Sequence, residues 1–150
     1  KQRIQVIWQT GKYYYEEIRQ RMNSSVPENI HIHDFISRMD LLYNAADLMV
    51  SRAGAISISE ICLTGRASIL VPSPNVAEDH QTKNAMALVS EHAAIMIKDK
   101  EAEEKLIPKV LELITNKTLL EDLAENSLKL AKPDSTQMIV DEVFKIIENK

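Results

Sequence analysis

The first hundred residues alternate short apolar or β-branched runs with longer stretches whose apolar residues recur every three or four positions. That alternation is the signature of βα units laid around a parallel sheet, and few other architectures produce it. Ile4–Trp8 reads as a strand, Gly11 as the turn that follows, and 13–22 as a helix with Tyr14, Ile18 and Met22 on one face. Residues 26–29 form a loop, and 30–35 alternate as a second strand. Ser37 is placed to cap a short helix through Ala46 that buries Met39, Leu42 and Tyr43. Residues 47–51 make a third strand, a short apolar run of the kind found in sheets covered on both faces. A helix follows from Ala55 to Thr64, with Ile58, Ile61 and Cys62 on its core side and Gly65 as its C-terminal cap. Ser68 to Val71 is a fourth strand, halted by Pro72 and Pro74. Asp79 is placed to cap a helix running to about His92 that buries Ala85, Leu88 and Val89, and Ala94 to Ile97 closes the series as a fifth strand.

After Asp99 the pattern changes. Three helical segments follow, near 103–115, 119–131 and 135–148, with Pro133 separating the last two and Asp134 or Ser135 as a cap. The expectation is therefore an α/β fold, a doubly wound parallel sheet of Rossmann-like type with a helical C-terminal extension over about 99–150. At 150 residues the length fits one domain. A net charge of −4 argues against a general nucleic-acid-binding surface. No apolar run approaches the ~20 residues that span a bilayer, and the single cysteine, Cys62, excludes an internal disulfide. The chain holds three glycines, none in a G-x-G-x-x-G or Walker-type loop, and it runs from Lys1 almost directly into a strand, as a piece of something longer would.

In open parallel sheets ligands bind beyond the carboxyl ends of the strands, so the residues just after each strand matter most. Here these are 9–11, 35–37, 52–55 and 73–81. The third group is the most informative. A strand, Arg52, a turn containing Gly54 and a helix start at Ala55 bring backbone N–H groups and the positive end of a helix dipole together, a natural seat for phosphate. Glu60 stands about one and a half helical turns later, in a helix otherwise lined with small and apolar residues. A carboxylate so placed suits ribose hydroxyls. Taken alone, Gly54 and Glu60 fit a tight turn and a solvated helix position better than a site, and it is the order of the residues around them that carries more.

The stretch 51–61, then Gly65, Val71-Pro72 and 80–85, resembles the donor-binding half of the MurG family, the UDP-N-acetylglucosamine:N-acetylmuramyl-(pentapeptide)-pyrophosphoryl-undecaprenol N-acetylglucosaminyltransferases. An R-x-G-A-x-x-x-x-E element at Arg52–Glu60 and a Q-x-x-N-A element at Gln81–Ala85 carry the likeness as a pair, and it extends over essentially the whole chain, from Trp8-Gln9-Thr10-Gly11 through His33-Asp34-Phe35-Ile36 to the closing helices. Two departures stand out. His80 occupies a position where the family has a second glutamine, and Arg66 lies where a proline-bearing turn is usual.

The resemblance implies a GT-B glycosyltransferase with two Rossmann-like domains across a cleft, this chain being the UDP-N-acetylglucosamine side. Its first strand and glycine-rich phosphate loop would then precede Lys1, and the chain would make up about 40% of an enzyme whose partner domain is of ordinary size. By position, Glu60 takes the ribose hydroxyls, and Arg52, Gly54 and Ala55 lie at the pyrophosphate. The backbone of Ile36 pairs with uracil in a pocket shaped by Phe35 and Met39. Gln81 and Asn84, with His80 beside them, meet the sugar hydroxyls. The implied reaction carries N-acetylglucosamine to lipid I, giving lipid II for peptidoglycan, and so serves cell-wall biogenesis, cell shape and cell division. It inverts the anomeric centre by direct displacement, with no bound metal or other cofactor. The catalytic base, the lipid I site and the contact with the cytoplasmic face of the bacterial inner membrane all fall to the N-terminal domain, so the isolated fragment is expected to be inactive.

Other constellations point elsewhere or nowhere. His31 and His33 share one face of a strand but have no spaced third ligand for a metal. Tyr13-Tyr14-Tyr15 spread around a helix, with one ring as a partly buried anchor. Cys62 lies on a core stripe as an inert apolar residue, and residues 98–105 are a solvated charge run. The last helix carries Met138, Ile139, Val143 and Ile146 on one stripe with Phe144 beside it, for packing on its own domain or, as in GT-B enzymes, in part on the partner domain. Two further functional readings remain: a separate nucleotide-sugar-binding subunit of a split transferase, and a receiver-like signalling module, which the lack of an acidic cluster at the first strands disfavours.

Overall fold

A computed structural model of the chain describes residues 4–22 and 26–148. The chain divides into two compact units, Lys1–Leu42 and Tyr43–Lys150. In the first, strand β1 (Val6–Gln9), helix α1 (Lys12–Met22) and strand β2 (Ile30–His33) form a βαβ unit with parallel strands in the register Val6 to Ile30. Gly11 makes the turn into α1 at φ 78°, a left-handed value that favours glycine. β1 begins two residues later than its β-branched run, because Asn29 caps the earlier backbone with an Nδ2 hydrogen bond to the Ile4 carbonyl at 2.8 Å. β2 stops at His33, where Asp34 Oδ1 accepts from the Phe35 amide at 2.8 Å and turns the chain out of the ladder. Two further expectations shift. The partly covered face of α1 runs through Tyr15, Ile18 and Met22, and Tyr14 is exposed. Tyr13 and Tyr14 instead meet edge to face, with 4.8 Å between ring centroids, while Arg19 lies over the Tyr15 ring.

Helix α2 (Met39–Ala45) follows. It starts two residues after Ser37. The Arg38 carbonyl takes the Leu41 amide at 3.1 Å, and the Arg38 guanidinium grips Asp40 through two hydrogen bonds of 2.9 and 2.7 Å. A bidentate ion pair thus shapes this helix start where a serine cap was expected. Tyr43 is its one buried residue, with Met39 and Leu42 half-buried.

The second unit holds β3 (Leu48–Ser51), α3 (Ala55–Thr64), β4 (Ala67–Leu70), α4 (His80–Ser90), β5 (Ile95–Met96), α5 (Ala102–Thr115), α6 (Lys117–Lys129) and α7 (Ser135–Glu148). Its strands are parallel in the order β3-β4-β5, so the fold is Rossmann-like α/β with flanking helices. The middle strand is the one buried along its whole length. β3 is only half-covered, with Val50 44% exposed, since it has a strand on one side alone in this sheet. Ala67, Ile69 and Val71 alternate onto one face of the sheet and meet Ile97, Leu113 and Leu123 there. The helices after Asp99 therefore contribute to the sheet's core through α5 and α6, whereas α7 buries no residue.

Helix α3 ends as its glycine dictates. Gly65 adopts φ 57°, and its amide bonds the Cys62 carbonyl at 3.1 Å while the Arg66 amide bonds the Ile61 carbonyl at 3.2 Å. A Cβ there would also stand 3.3 Å from Leu128 on α6. Arg66, placed where proline was usual, reaches back to the Ala46 carbonyl at 3.2 Å and ties the start of β3 to this turn.

Leu113→Ala should lower the unfolding free energy by about 2–5 kcal/mol, read by urea denaturation. A single transition that moves as a whole is expected, because Leu113 is fully buried with β4. A separate early transition would instead make α5 and α6 an appendage.

Candidate functional site

At the carboxyl ends of β3 and β4 the backbone leaves the sheet and side chains from four elements are tied together. Arg52 follows β3 directly. Its Nη1 donates to the carbonyls of Val71 at 3.2 Å and Pro72 at 3.4 Å, just past β4, and pairs with Asp99 after β5. One guanidinium thus joins the ends of all three strands of the unit. With Nη1 occupied, Nη2 and Nε are the Arg52 groups that can meet an anion.

Gly54 caps α3 in an extended conformation (φ −69°, ψ 147°), with no side chain bonded to the helix start. Glycine is not needed there for its backbone angles. What it provides is a helix end without a covering side chain, since a Cβ would meet nothing nearer than Ser57 Oγ at 3.9 Å. Ala55 and Ile56 are exposed. The first N–H groups of α3 therefore face outward with the positive end of the dipole, which is the geometry of an anion seat.

Glu60 lies further along α3, half-buried. Its Oε2 accepts a hydrogen bond of 3.0 Å from the hydroxyl of Tyr43, which is 5% exposed. Burial first, and the bond to Glu60 second, raise the Tyr43 phenol above its usual pKa, so it remains a donor throughout the physiological range.

The third wall comes from β4 and α4. The Ser73 amide donates to Gln81 Oε1 at 2.9 Å, and Asn84 Nδ2 donates to the Ala53 carbonyl at 3.2 Å. Both amides are held at one end, which leaves Gln81 its N–H donors and Asn84 its carbonyl oxygen for a ligand. Just ahead of α4, Glu78 and Asp79 both lie in the left-handed region, at φ 54° and 52°. Two successive non-glycine residues in that region carry conformational cost, and such strain gathers at ligand loops. Asp79 does not bond the helix backbone as a cap. Its Oδ1 takes the Thr82 hydroxyl at 2.7 Å instead. His80 opens α4 and is exposed.

Arg52, Gly54, Ala55, Glu60, His80, Gln81 and Asn84 all belong to the second unit. Phe35, Ile36 and Met39 belong to the first. There Phe35 is 62% exposed, and the Ile36 amide donates to Gln9 Oε1 at 2.8 Å, so that an amide carbonyl already sits where a uracil carbonyl was expected. The Ile36 carbonyl remains as an acceptor.

The glycosyltransferase family 28 C-terminal domain model matches residues 1–139. The chain belongs to that family. It is 52% identical over 147 residues, 98% of its length, to the UDP-N-acetylglucosamine–N-acetylmuramyl-(pentapeptide) pyrophosphoryl-undecaprenol N-acetylglucosamine transferase of Parabacteroides distasonis. It is 55% identical over 144 residues, 96% of its length, to the enzyme of the same name from Cytophaga hutchinsonii. The crystal structure of Acinetobacter baumannii MurG superposes with a TM-score of 0.81 at 31% identity, over 94% of this chain and 41% of that one. The chain spans 40% and 38% of the lengths of the two relatives.

In this family 28 domain, sequence reasoning had placed Tyr43 only on a buried stripe, had counted Ala53 and Ser73 only among the residues that follow strands, and had given Asp99 no role. The signal for Tyr43 was present all the same. It is the one polar group on the core stripe of α2, as Glu60 is the one carboxylate on α3. Nothing local announced Asp99, which lies 47 residues from Arg52. The remaining candidates keep structural roles. His31 Nε2 meets Gln5 Oε1 at 3.2 Å, and among the described residues no three His, Cys, Asp or Glu side chains converge as metal ligands. Cys62 is buried, and burial raises its thiol above the usual value, away from reactive thiolate.

Asp99→Asn should change the unfolding free energy by less than about 1 kcal/mol, the range of partly exposed ion pairs. Arg52→Lys should cost more, because the flexible, strongly hydrated ammonium lacks the rigid planar fork that holds Nη1 against both carbonyls and the carboxylate. Urea titrations of both variants provide the comparison. Equal losses would mean that the ion pair alone matters.

Proposed function

We propose that this chain is the donor-binding part of an enzyme that transfers N-acetylglucosamine from UDP-N-acetylglucosamine to lipid I, forming lipid II for peptidoglycan. The observation that carries the reading is the bare N-terminus of α3 with Glu60 further along the same helix. One element so arranged offers an anion seat and, further along, a ribose acceptor, the two groups a nucleoside diphosphate needs. The names of the relatives from Parabacteroides distasonis and Cytophaga hutchinsonii supply the sugar and the acceptor.

In this reading the pyrophosphate lies on the amides after Gly54 and Ala55, with Arg52 alongside. Glu60 accepts the ribose hydroxyls. Gln81 and Asn84, with His80 at the rim, receive the N-acetylglucosamine hydroxyls. Phe35, the Ile36 backbone and Met39 take the uracil, whose carbonyl replaces that of Gln9 at the Ile36 amide. The muramyl C4 hydroxyl attacks the anomeric carbon, the bond to the UDP oxygen breaks, and the configuration changes from α to β. Negative charge grows on the departing diphosphate, where the helix end and Arg52 stabilise it without needing a metal. The base that takes the hydroxyl proton lies outside these residues, as do the lipid I site and the surface that meets the inner membrane from the cytoplasmic side. Among the described residues no helix is long and apolar enough to cross a membrane. The exposed stripe of Met138, Ile139, Val143 and Ile146 on α7 supports a further domain in the same enzyme.

Titration calorimetry with UDP on the full-length protein tests the reading. Glu60→Ala should weaken UDP by about 10- to 100-fold, the equivalent of losing one hydrogen-bonded charge. Absence of UDP binding by the unaltered protein would remove the proposal.

A further inference from the structure

The contact between Tyr43 and Glu60 joins a buried phenol on α2 to the one carboxylate on α3. Glutamate has three rotatable side-chain bonds, and fixing them on binding costs about 1–2 kcal/mol of rotamer freedom. A donor bonded to one carboxylate oxygen fixes them in advance. The ring of Tyr43 is itself held, being 5% exposed, so it serves as a rigid post. Oε2 receives the phenol, which leaves Oε1 as a second acceptor. The phenol is uncharged, so its hydrogen bond orients the half-buried Glu60 carboxylate without neutralising it.

We propose that Tyr43 is a positioning residue for ribose recognition, holding the Glu60 carboxylate in the rotamer that accepts the ribose hydroxyls of a uridine diphosphate. The proposal rests on the reading of Glu60 given above. It makes ribose selectivity depend on a side chain that touches no part of the nucleotide. It also assigns a reason for a tyrosine, and not a phenylalanine, at a buried position of α2. A merely structural Tyr43 would influence affinity for every nucleotide alike, whereas a positioning Tyr43 influences only ligands that carry the hydroxyls.

Tyr43→Phe keeps the ring and removes only the donor. In the full-length protein, affinities for UDP, 2′-deoxy-UDP and 3′-deoxy-UDP should be measured by calorimetry for the unaltered protein, Y43F, E60Q and the double variant. Y43F is expected to weaken UDP by about five- to thirtyfold, the equivalent of the rotamer freedom Glu60 would then lose on binding, with little change for the deoxy analogue lacking the recognised hydroxyl. In the E60Q background Y43F should add no further selectivity loss, because the two residues act as one unit. An equal loss for all three nucleotides, or no loss at all, would overturn the positioning role while leaving Glu60 in place. If the unaltered protein failed to prefer UDP over both deoxy analogues and E60Q had no effect, the ribose reading of Glu60 would fall, and the role of Tyr43 with it. Y43F retains a buried ring, so the thermal midpoint reports its folding, and E60Q alters a half-buried position and supplies the same cycle from the other side.

Discussion

One guanidinium organises the working end of the sheet. Arg52 leaves β3, touches the carbonyls that follow β4 and pairs with Asp99 beyond β5. Parallel strands offer no hairpins to hold their carboxyl ends in register, because each connection crosses the sheet and returns from the far side. Loops at that end would otherwise be free to move independently. An arginine suits this position because it is planar, always charged and carries several donors in fixed directions. With the strand ends fixed, the turn at Ala53 and Gly54 is fixed too, and α3 begins in one place with its amides outward. The anion seat follows from the clip.

The same economy recurs around the seat. The Ala53 carbonyl takes Asn84, the Ser73 amide takes Gln81, and the Glu60 carboxylate takes Tyr43. The Arg52, Glu60, Gln81 and Asn84 side chains, all proposed to meet the donor, are each already bonded through one atom and offer another. Amides and carboxylates are well suited to this double use, since each carries at least two polar atoms on one rigid plane. The arrangement lowers the rotamer entropy lost on binding, and it ties ligand contacts to a core that is close-packed behind them.

Much of this was legible in the sequence where a short-range rule decides the outcome. Helix α3 occupies the span that its glycine predicts, because the left-handed cap at Gly65 has no competitor at that position. The middle strand follows from a short run of small and apolar residues, and β4 is covered throughout, whereas β1, equally apolar in sequence, is exposed along its length. Rules failed where another partner intervened. Ser37 lost the start of α2 to the Arg38 and Asp40 pair, and Asp79 gave its carboxylate to Thr82 in place of the backbone. The face of α1 turned by one residue because Tyr15, not Tyr14, lies toward the partly covered side. For the site, residue types and their order marked the positions, but not which atom of each was available. That depends on partners between 8 and 47 residues away, such as Ser73 for Gln81 and Asp99 for Arg52, and no pattern in the chain encodes them.

Because ligand-facing groups here are also bonded to the frame, binding and folding are linked at this end of the molecule. Removing Asn84 or Gln81 outright would release the Ala53 carbonyl or the Ser73 amide as well as the proposed contact to a sugar, and the two effects would arrive together in any affinity measurement. Only changes that preserve the framework bond while altering the outward atom separate them. For Asn84 the framework bond is donated, through Nδ2, and the outward atom is an acceptor; for Gln81 the framework bond is accepted, through Oε1, and the outward atoms donate. Glutamate at position 81 would therefore keep the bond to Ser73 and abolish donation to a hydroxyl. Aspartate at position 84 would do the opposite, losing the bond to Ala53 while keeping an outward acceptor. The two amides are similar in chemistry but oppositely wired. Two amides of the same chemistry thus present one donor and one acceptor outward, and in the proposed site a sugar would meet opposite partners at the two positions.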